Sequence, residues 1–284
     1  MERAPAWLAD HAANVHSQAG EDGVIAKVLE TLTARDRWCV EFGAWDGEHL
    51  SNTRRLIEQE SYSAVLIEGD KKRAAALQER CRSERQVTVL NRYVGFGRDD
   101  SLDAILAGGP VPVDFDLLSI DIDGNDYHVW QAIKRYRPKV VVIEFNPTIP
   151  NEVKFVQPAD RRVNQGASLL SLVELGKKKG YELVAVLEFN AFFVRAEDFP
   201  LFLIADNRPA TLRSSPKGAT HIFFGYDGTV FIRGARKLPW HGVLLDERRF
   251  QPLPGFLRKY PERYGWLEKL LFSFLRRLGR IRVV

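Results

Sequence analysis

Two stretches of the chain place hard oxygen donors where they could do chemistry. Ser119-Ile-Asp121-Ile-Asp123-Gly124-Asn125-Asp126 delivers acids at 121, 123 and 126 around a glycine, and Ile143-Glu144-Phe145-Asn146-Pro147 adds a carboxylate and an amide. Both follow apolar runs that read as buried strands (Phe115 to Ile120 and Val140 to Ile143). Oxygen donors at neighbouring strand ends suit Mg²⁺ or another divalent cation. Asp121, Asp123, Glu144 and Asn146 are therefore the candidate metal ligands. Asp121, Asp123 and Asn125 are the candidate catalytic group, with acid–base work by the carboxylates as the metal-free alternative.

A third stretch points to a cofactor. Trp38-Cys-Val is a short apolar run that leads into Glu41-Phe-Gly43-Ala44-Trp45-Asp46-Gly47, with Ser51-Asn52-Thr53 and the apolar pair Leu56 and Ile57 beyond. Strand, glycine turn and helix are how doubly wound α/β folds hold a nucleotide-like ligand. The spacing here is acid-x-Gly-x-x-x-Gly. A dinucleotide brings its pyrophosphate to the helix N-terminus, where a fixed negative charge is unwelcome. The carboxylate of Glu41 instead suits an ammonium or sulfonium centre, and S-adenosylmethionine carries both. Ser63 to Glu68 is a second buried strand, and Glu68 falls where nucleotide binders keep a carboxylate for ribose hydroxyls. The candidate cofactor residues are Gln18, Glu41, Gly43, Ala44, Trp45, Asp46, Gly47, Asn52, Glu68 and Asp121.

The elements that must position these groups follow from periodicity. Residues 1–16 are polar and read as loosely held. Ser17 to Gly23 then either caps a helix through Val24, Ile25, Val28, Leu29 and Leu32 or forms a lid whose Gln18 or Glu21 faces the ligand. Lys71 to Arg82 is a charged helix, Gln86 to Val94 a third strand and Ser101 to Leu106 a short helix. Residues 148–165 form a polar loop long enough to be a lid or substrate loop. Gly166-Ala167 opens a helix ended by Gly180, and Tyr181 to Leu187 with Ala191 to Arg195 form a terminal strand pair. Beyond Pro200 the pattern changes, with a hairpin turning at Asp227-Gly228 and a lone surface histidine, His241. The helix from Tyr264 to Leu278 lines up Leu267, Leu270, Leu271, Phe274, Leu275 and Leu278, with Arg276, Arg277, Arg280 and Arg282 at its end. Such a helix either packs back on the protein or contacts an anionic membrane surface through residues 264–284.

Composition sets the class. An apolar fraction of 45% with 27% charged residues over 284 residues describes a globular chain of one large domain or a domain with an appendage. The expected division is an N-terminal helix or lid segment (1–36), a cofactor-binding core (37–200) and a C-terminal extension (201–284). Net charge is only +4 and the basic residues are dispersed, so nucleic acid is not the favoured partner. Two cysteines, Cys39 and Cys81, make no disulfide framework, and no apolar run is long enough to cross a membrane. These features lead to the expectation of a cytoplasmic protein, at most peripheral to the inner face of the membrane.

Taken together, Ser17-Gln18-x-Gly20-Glu21-Asp22-Gly23, Val40-Glu41-Phe-Gly43-Ala-Trp-Asp-Gly47, Leu66-Ile-Glu68, Ser119-Ile-Asp121-Ile-Asp123-Gly124, Ile143-Glu144-Phe-Asn146-Pro147 and Asn190-Ala-Phe-Phe193 resemble the class I S-adenosylmethionine-dependent methyltransferases, in their FkbM-like branch. The resemblance spans roughly residues 17–195. It implies a Rossmann-like fold: a mostly parallel seven-stranded sheet with an antiparallel last strand. It also implies that Glu41, Gly43 and Gly47 line the methionine end of the cofactor, with Glu68 on its ribose. The family pattern has Asp-x-Glu-Gly where this chain has Asp121-x-Asp123-Gly124. The implied activity is O-methylation of a hydroxyl on a sugar, glycan or related natural product, with metal assistance drawn from the oxygen-donor pattern. Two other readings stay open: an NAD-dependent sugar-modifying enzyme and a non-catalytic interaction protein on the same scaffold. The acceptor and the oligomeric state are not legible.

Overall fold

The structure, a computed structural model, describes residues 4–214, 217–279 and 281. They fall into two compact units, Met1–Pro216 and Lys217–Val284.

The first unit is built on a seven-stranded sheet. Its strands are β1 (Trp38–Phe42), β2 (Ser63–Glu68), β3 (Val87–Asn91), β4 (Leu117–Ile120), β5 (Val140–Glu144), β6 (Tyr181–Val186) and β7 (Asn190–Arg195). The spatial order is β3-β2-β1-β4-β5-β7-β6, with β7 antiparallel to both neighbours and the remaining pairs parallel. This is the mostly parallel sheet with an antiparallel end that the sequence implies. Strands β1, β2, β4 and β5 are apolar along their length because helices cover both faces. On one face lie α1 (Glu21–Thr31), α2 (Arg54–Glu60) and α3 (Lys71–Arg80). On the other lie α4 (Leu102–Ile105), α5 (Asp126–Ala132) and α6 (Leu169–Lys178).

Strand alternation decides which face each strand-end residue occupies. Cys39, Leu66, Leu117, Val142 and Phe192 belong to one buried cluster with Val24, Ile25 and Leu29 of α1. Two residues further along β1, β2 and β5 from Cys39, Leu66 and Val142 come Glu41, Glu68 and Glu144. Asp121 lies four residues beyond Leu117, and Asn190 two before Phe192. Because β7 runs antiparallel, its first residue sits at the edge where the parallel strands end. All five polar groups therefore converge on one edge and one face of the sheet.

Several elements differ from the sequence expectation. The N-terminal segment is not loosely held: a 3-10 turn at Trp7–His11 buries Trp7 and Leu8, and Trp7 Nε1 donates to the Phe202 carbonyl at 3.1 Å. Two large apolar side chains within a polar stretch suffice to anchor it. Strand β3 is shorter than residues 86–94 and only half-buried, since it is the sheet edge and has a partner on one side only. Helix α6 starts at Leu169, after Ser168, whose hydroxyl accepts from the Ser171 N–H at 3.2 Å.

At the opposite edge from the polar cluster, Asp116 is fully buried. It accepts from the backbone of Asp36 and Arg37, the Tyr62 hydroxyl (3.0 Å) and Lys139 Nζ (2.6 Å). That carboxylate is saturated with donors and pins the starts of β1, β4 and β5.

In the second unit, β8 (Thr220–Phe224) and β9 (Val230–Gly234) form an antiparallel hairpin. Gly228 at its turn takes φ +81°, the left-handed conformation expected of Asp-Gly turns. A 12-residue helix, Trp266–Arg277, follows (α8, after the single-turn α7, Pro209–Leu212, of the first unit). Arg280 and Arg282, placed at its end by the sequence reading, lie outside the described residues. No described helix is long and apolar enough to cross a membrane.

Candidate active site

The sheet order reverses between β1 and β4, which makes the crevice beyond their carboxyl ends the place where such a sheet binds a ligand. The loops leaving these two strands touch there. Gly43 has φ +78°, and a Cβ at that position would stand 1.7 Å from the Asp121 carbonyl oxygen. Only glycine permits that approach. Gly47 also takes a positive φ (+75°) and faces Leu77 of α3.

The two acids at the ends of β1 and β2 are each held by several hydrogen bonds. Glu68 Oε2 accepts from the Trp45 N–H at 2.9 Å and Oε1 from the Asp70 N–H at 2.7 Å. This carboxylate is fixed in place with lone pairs to spare. Trp45 projects its ring outward, half-covered by the Arg73 guanidinium 5.4 Å from its centroid. Asp46 turns away to take the N–H groups of Glu48 and His49 and the His49 ring. Glu41 is buried beneath the loop. Its oxygens accept from the hydroxyls of Ser51 and Thr53 (2.7 Å each) and from the Asn52 N–H (2.8 Å). Burial raises its pKa, opposed in part by those three donors. The Ser51-Asn52-Thr53 run thus folds onto Glu41, and the cap of α2 comes from Ser51 Oγ, which accepts from the Arg54 N–H at 3.1 Å. Asn52 Nδ2 reaches on to Ser119 Oγ at 3.0 Å, so the loops after β1 are tied to β4.

At the ends of β4 and β5, Asp121, Asp123 and Glu144 bring one carboxylate oxygen each within 4.8 Å of one another. Burial, reinforced by Asp126, Asp123, Glu41 and Glu21, holds Asp121 well above the ordinary carboxylate range. Burial and the charges of Asp121, Asp126 and Asp123 push Glu144 up to about 10. Asp126 is buried at the start of α5 and accepts from the N–H groups of Ile122 (3.0 Å) and Gly124 (2.9 Å). Burial still carries it up to about 6. Asp123 has φ +56°, the left-handed bend that turns its side chain back toward its neighbours.

Asn146 takes a different part from the acids. Its Nδ2 donates to the Gln165 carbonyl at 3.0 Å and its Oδ1 accepts from Thr148, so it shapes the loop after β5. Asn125 donates from Nδ2 to the Asp160 carbonyl at 3.2 Å, while its buried Oδ1 has no partner among the described residues. Gln18 is exposed, and its backbone carbonyl accepts from Asn14 Nδ2 at 3.1 Å.

Four contributors carried no site role in the sequence reading. Asn190, opposite Glu144 across the β5–β7 pair, is buried with Oδ1 unpartnered among the described residues. Ser119 is buried beneath the turn. Gln157 organises the long loop: its Oε1 accepts from the N–H groups of Gln165 and Gly166, and its Nε2 donates to the Val163 carbonyl at 2.7 Å. Asn164 fastens that loop to the site by donating to the Asp123 carbonyl at 2.8 Å. The loop at 148–165 therefore lies against the β4–α5 turn. A glutamine and an asparagine in a polar loop carry no sequence signal for this. The heptapeptide at 17–23 folds onto the start of α1: Ser17 Oγ accepts from the Asp22 N–H at 3.0 Å, and Asp22 Oδ2 accepts in return from the N–H groups of Val15, His16 and Ser17. Glu21 goes instead to Asn190, at 3.1 Å.

Sheet order, glycine turn at the switch point and acids at the ends of β1, β2, β4 and β5 define a class I methyltransferase fold. Residues 98–183 match the family model described as the methyltransferase FkbM domain, and the chain resembles the FkbM-like branch of the S-adenosylmethionine-dependent methyltransferases. A Klebsiella pneumoniae structure described as an O-methyltransferase is similar at 18% identity, over 65% of this chain and 83% of its own, with a TM-score of 0.44. The N-terminal domain of EvdMO1, determined in the presence of SAH and D-fucose, is similar at 11% identity over 62% of this chain and 82% of its own, with a TM-score of 0.41. A SAM-dependent methyltransferase from Aquifex aeolicus is similar at 13% identity over 60% and 88%, with a TM-score of 0.36. No curated protein matches the sequence.

Proposed function

We propose that the protein transfers a methyl group from S-adenosylmethionine to a hydroxyl oxygen of a small-molecule, sugar or glycan acceptor, with a divalent cation such as Mg²⁺ held by Asp121, Asp123 and Glu144. The observation that carries this reading is the meeting of those three carboxylates beside a glycine turn of the methyltransferase kind. S-adenosylmethionine fits the cofactor side. Glu68 offers fixed acceptors to ribose hydroxyls, and the close passage of Gly43 over Asp121 leaves backbone, not side chains, at the switch point. When bound, it supplies a methyl group on a cationic sulfur. In that transfer the S–CH₃ bond would break with its electron pair on sulfur as the acceptor oxygen took the methyl group, and the hydroxyl proton would pass to a base.

A cation also fits. Two half-buried carboxylates and an exposed one, each with an oxygen within 4.8 Å of the others, repel one another, and hard oxygen donors are what a divalent ion takes. When bound, it would lower the pKa of the acceptor hydroxyl. Asp121, Asp123 and Glu144 would hold it, Asn190 and Asn125 would face the acceptor's polar groups, and the Gln157-braced loop would exclude water. A metal-free version is favoured by one observation: with three carboxylates meeting at this edge, one of them in its ionised form could take the hydroxyl proton directly. Positioning of the acceptor against the methyl is the larger part of catalysis in either version.

Calorimetric titration with S-adenosylmethionine and with NAD, each with and without Mg²⁺, tests the reading. Binding of the sulfonium cofactor alone, followed by production of S-adenosylhomocysteine with polyol acceptors, is the expected result. NAD binding, or binding of neither, would overturn it. Methyl transfer indifferent to chelators would remove the metal.

A further inference from the structure

The second unit stands apart in charge. Residues 217–284 contain fourteen Lys and Arg against five Asp and Glu, a formal +9, which leaves −5 for residues 1–216. It also carries an apolar helix face that no described residue of its own unit covers. Along α8, Trp266, Leu267, Leu270, Leu271, Phe274 and Leu278 are 42–70% exposed. At 3.6 residues per turn they share an arc of about 140°. The other side holds the helix to its own unit. Phe272 and Leu275 are half-buried, Tyr264 packs on Phe272 at 6.0 Å between ring centroids, and Glu268 binds the Gly265 N–H at 2.8 Å and pairs with Lys259. The helix is thus docked by its narrower side and presents its broader apolar side outward. Arg277 stands on the arc's edge beside Trp266 and Leu270, and Lys269 and Arg276 lie on the adjoining flank.

We infer that α8 is an interfacial helix that seats this unit on an anionic phospholipid surface. An exposed apolar stripe with an indole at one end and cations along its border is the arrangement that lies in a headgroup layer. Apolar side chains enter the acyl boundary, while long basic side chains reach back to lipid phosphates. The excess of positive charge selects the sign of the surface. It also argues against a face-to-face pairing of two α8 helices from two copies of this chain, since joining two +9 units brings like charges together. The inference rests on the second unit alone and is independent of the methyl-transfer reading.

Co-sedimentation of the full-length protein with vesicles tests it. One set is phosphatidylcholine alone and the other contains ~30 mol % phosphatidylglycerol. The expected result is at least about tenfold stronger binding to the anionic vesicles, most of the difference being lost at roughly 0.5 M salt. Leu270→Glu with Phe274→Glu is expected to abolish binding to both sets. Arg276→Ser with Arg277→Ser is expected to reduce the preference for phosphatidylglycerol severalfold while leaving circular dichroism and thermal melting unchanged. Equal binding to both sets, or binding to neither, would overturn the inference. So would a dimer in sedimentation equilibrium that Leu270→Glu dissolves, since the face would then be a self-association surface.

Discussion

Glu21, at the first turn of α1, accepts a hydrogen bond through Oε1 from Asn190 Nδ2, 169 residues later in the chain, at 3.1 Å. Both residues are buried, and Asn190 stands opposite Glu144 in the β5–β7 register. The contact fastens the N-terminal segment to the acid-lined edge and sets how the asparagine presents its remaining oxygen. Asn190→Ala is expected to destabilise the first unit by about 1–3 kcal/mol, because Glu21 keeps a buried oxygen short of a donor. Asn190→Asp is expected to cost more, since it sets a second carboxylate against Glu21 and Glu144. Urea unfolding of the three proteins checks the order.

Gly43→Ala is expected to be among the most damaging single-methyl changes in the chain. Its Cβ would meet the Asp121 carbonyl oxygen at 1.7 Å on a backbone with φ +78°. Separation of the β1 and β4 loops is the only relief, at roughly 2–4 kcal/mol. S-adenosylmethionine binding should be lost even where the protein still melts cooperatively. A variant that binds the cofactor with wild-type affinity would show that the switch point is not the binding crevice.

Glu68→Ala removes acceptors whose position is set by the Trp45 and Asp70 N–H groups. Loss of one or two charge-assisted hydrogen bonds to ribose hydroxyls corresponds to about 1.5–3 kcal/mol, or a roughly ten- to hundredfold weaker dissociation constant. Calorimetry measures it directly. Glu68→Gln should fall between the two, because the amide retains one accepting oxygen.

The acid cluster makes stability depend on pH in a defined direction. Glu144 rises from 4.5 to about 10, and Asp126 from 3.8 to about 6. A carboxyl with a raised folded-state pKa binds its proton more tightly in the native state. Its contribution is therefore most favourable below the unfolded value and is lost as pH rises through the folded one. Melting temperature in chelator should fall between about pH 4 and 6 from Asp126, and on toward pH 10 from Glu144. Mg²⁺ should restore part of the loss at neutral pH and above, and Glu144→Gln should flatten the dependence and remove most of the Mg²⁺ effect. A melting temperature insensitive to Mg²⁺ at every pH would sink the metal site.

Much of this protein was legible from the order of its residues. The runs ending at Val40, Ile67, Ile120 and Ile143 are strands because short, predominantly apolar stretches must be buried on both faces. Gly43, Gly47, Glu68, Asp121 and Glu144 mark their ends by residue type alone. Asp-Gly at 227–228 specified its turn, since left-handed backbone is cheap there. Only the tertiary structure decided what those groups touch. It showed that Glu41 is occupied by Ser51, Asn52 and Thr53, that Asn146 shapes a loop, and that Asn190 completes the edge with Glu21. It also showed that Trp7 and Leu8 bury a segment that looks polar on average. The physical reason is range. Periodicity and turn chemistry act over a few residues, whereas hydrogen-bond partners and burial depend on chain segments brought together across as many as 195 positions.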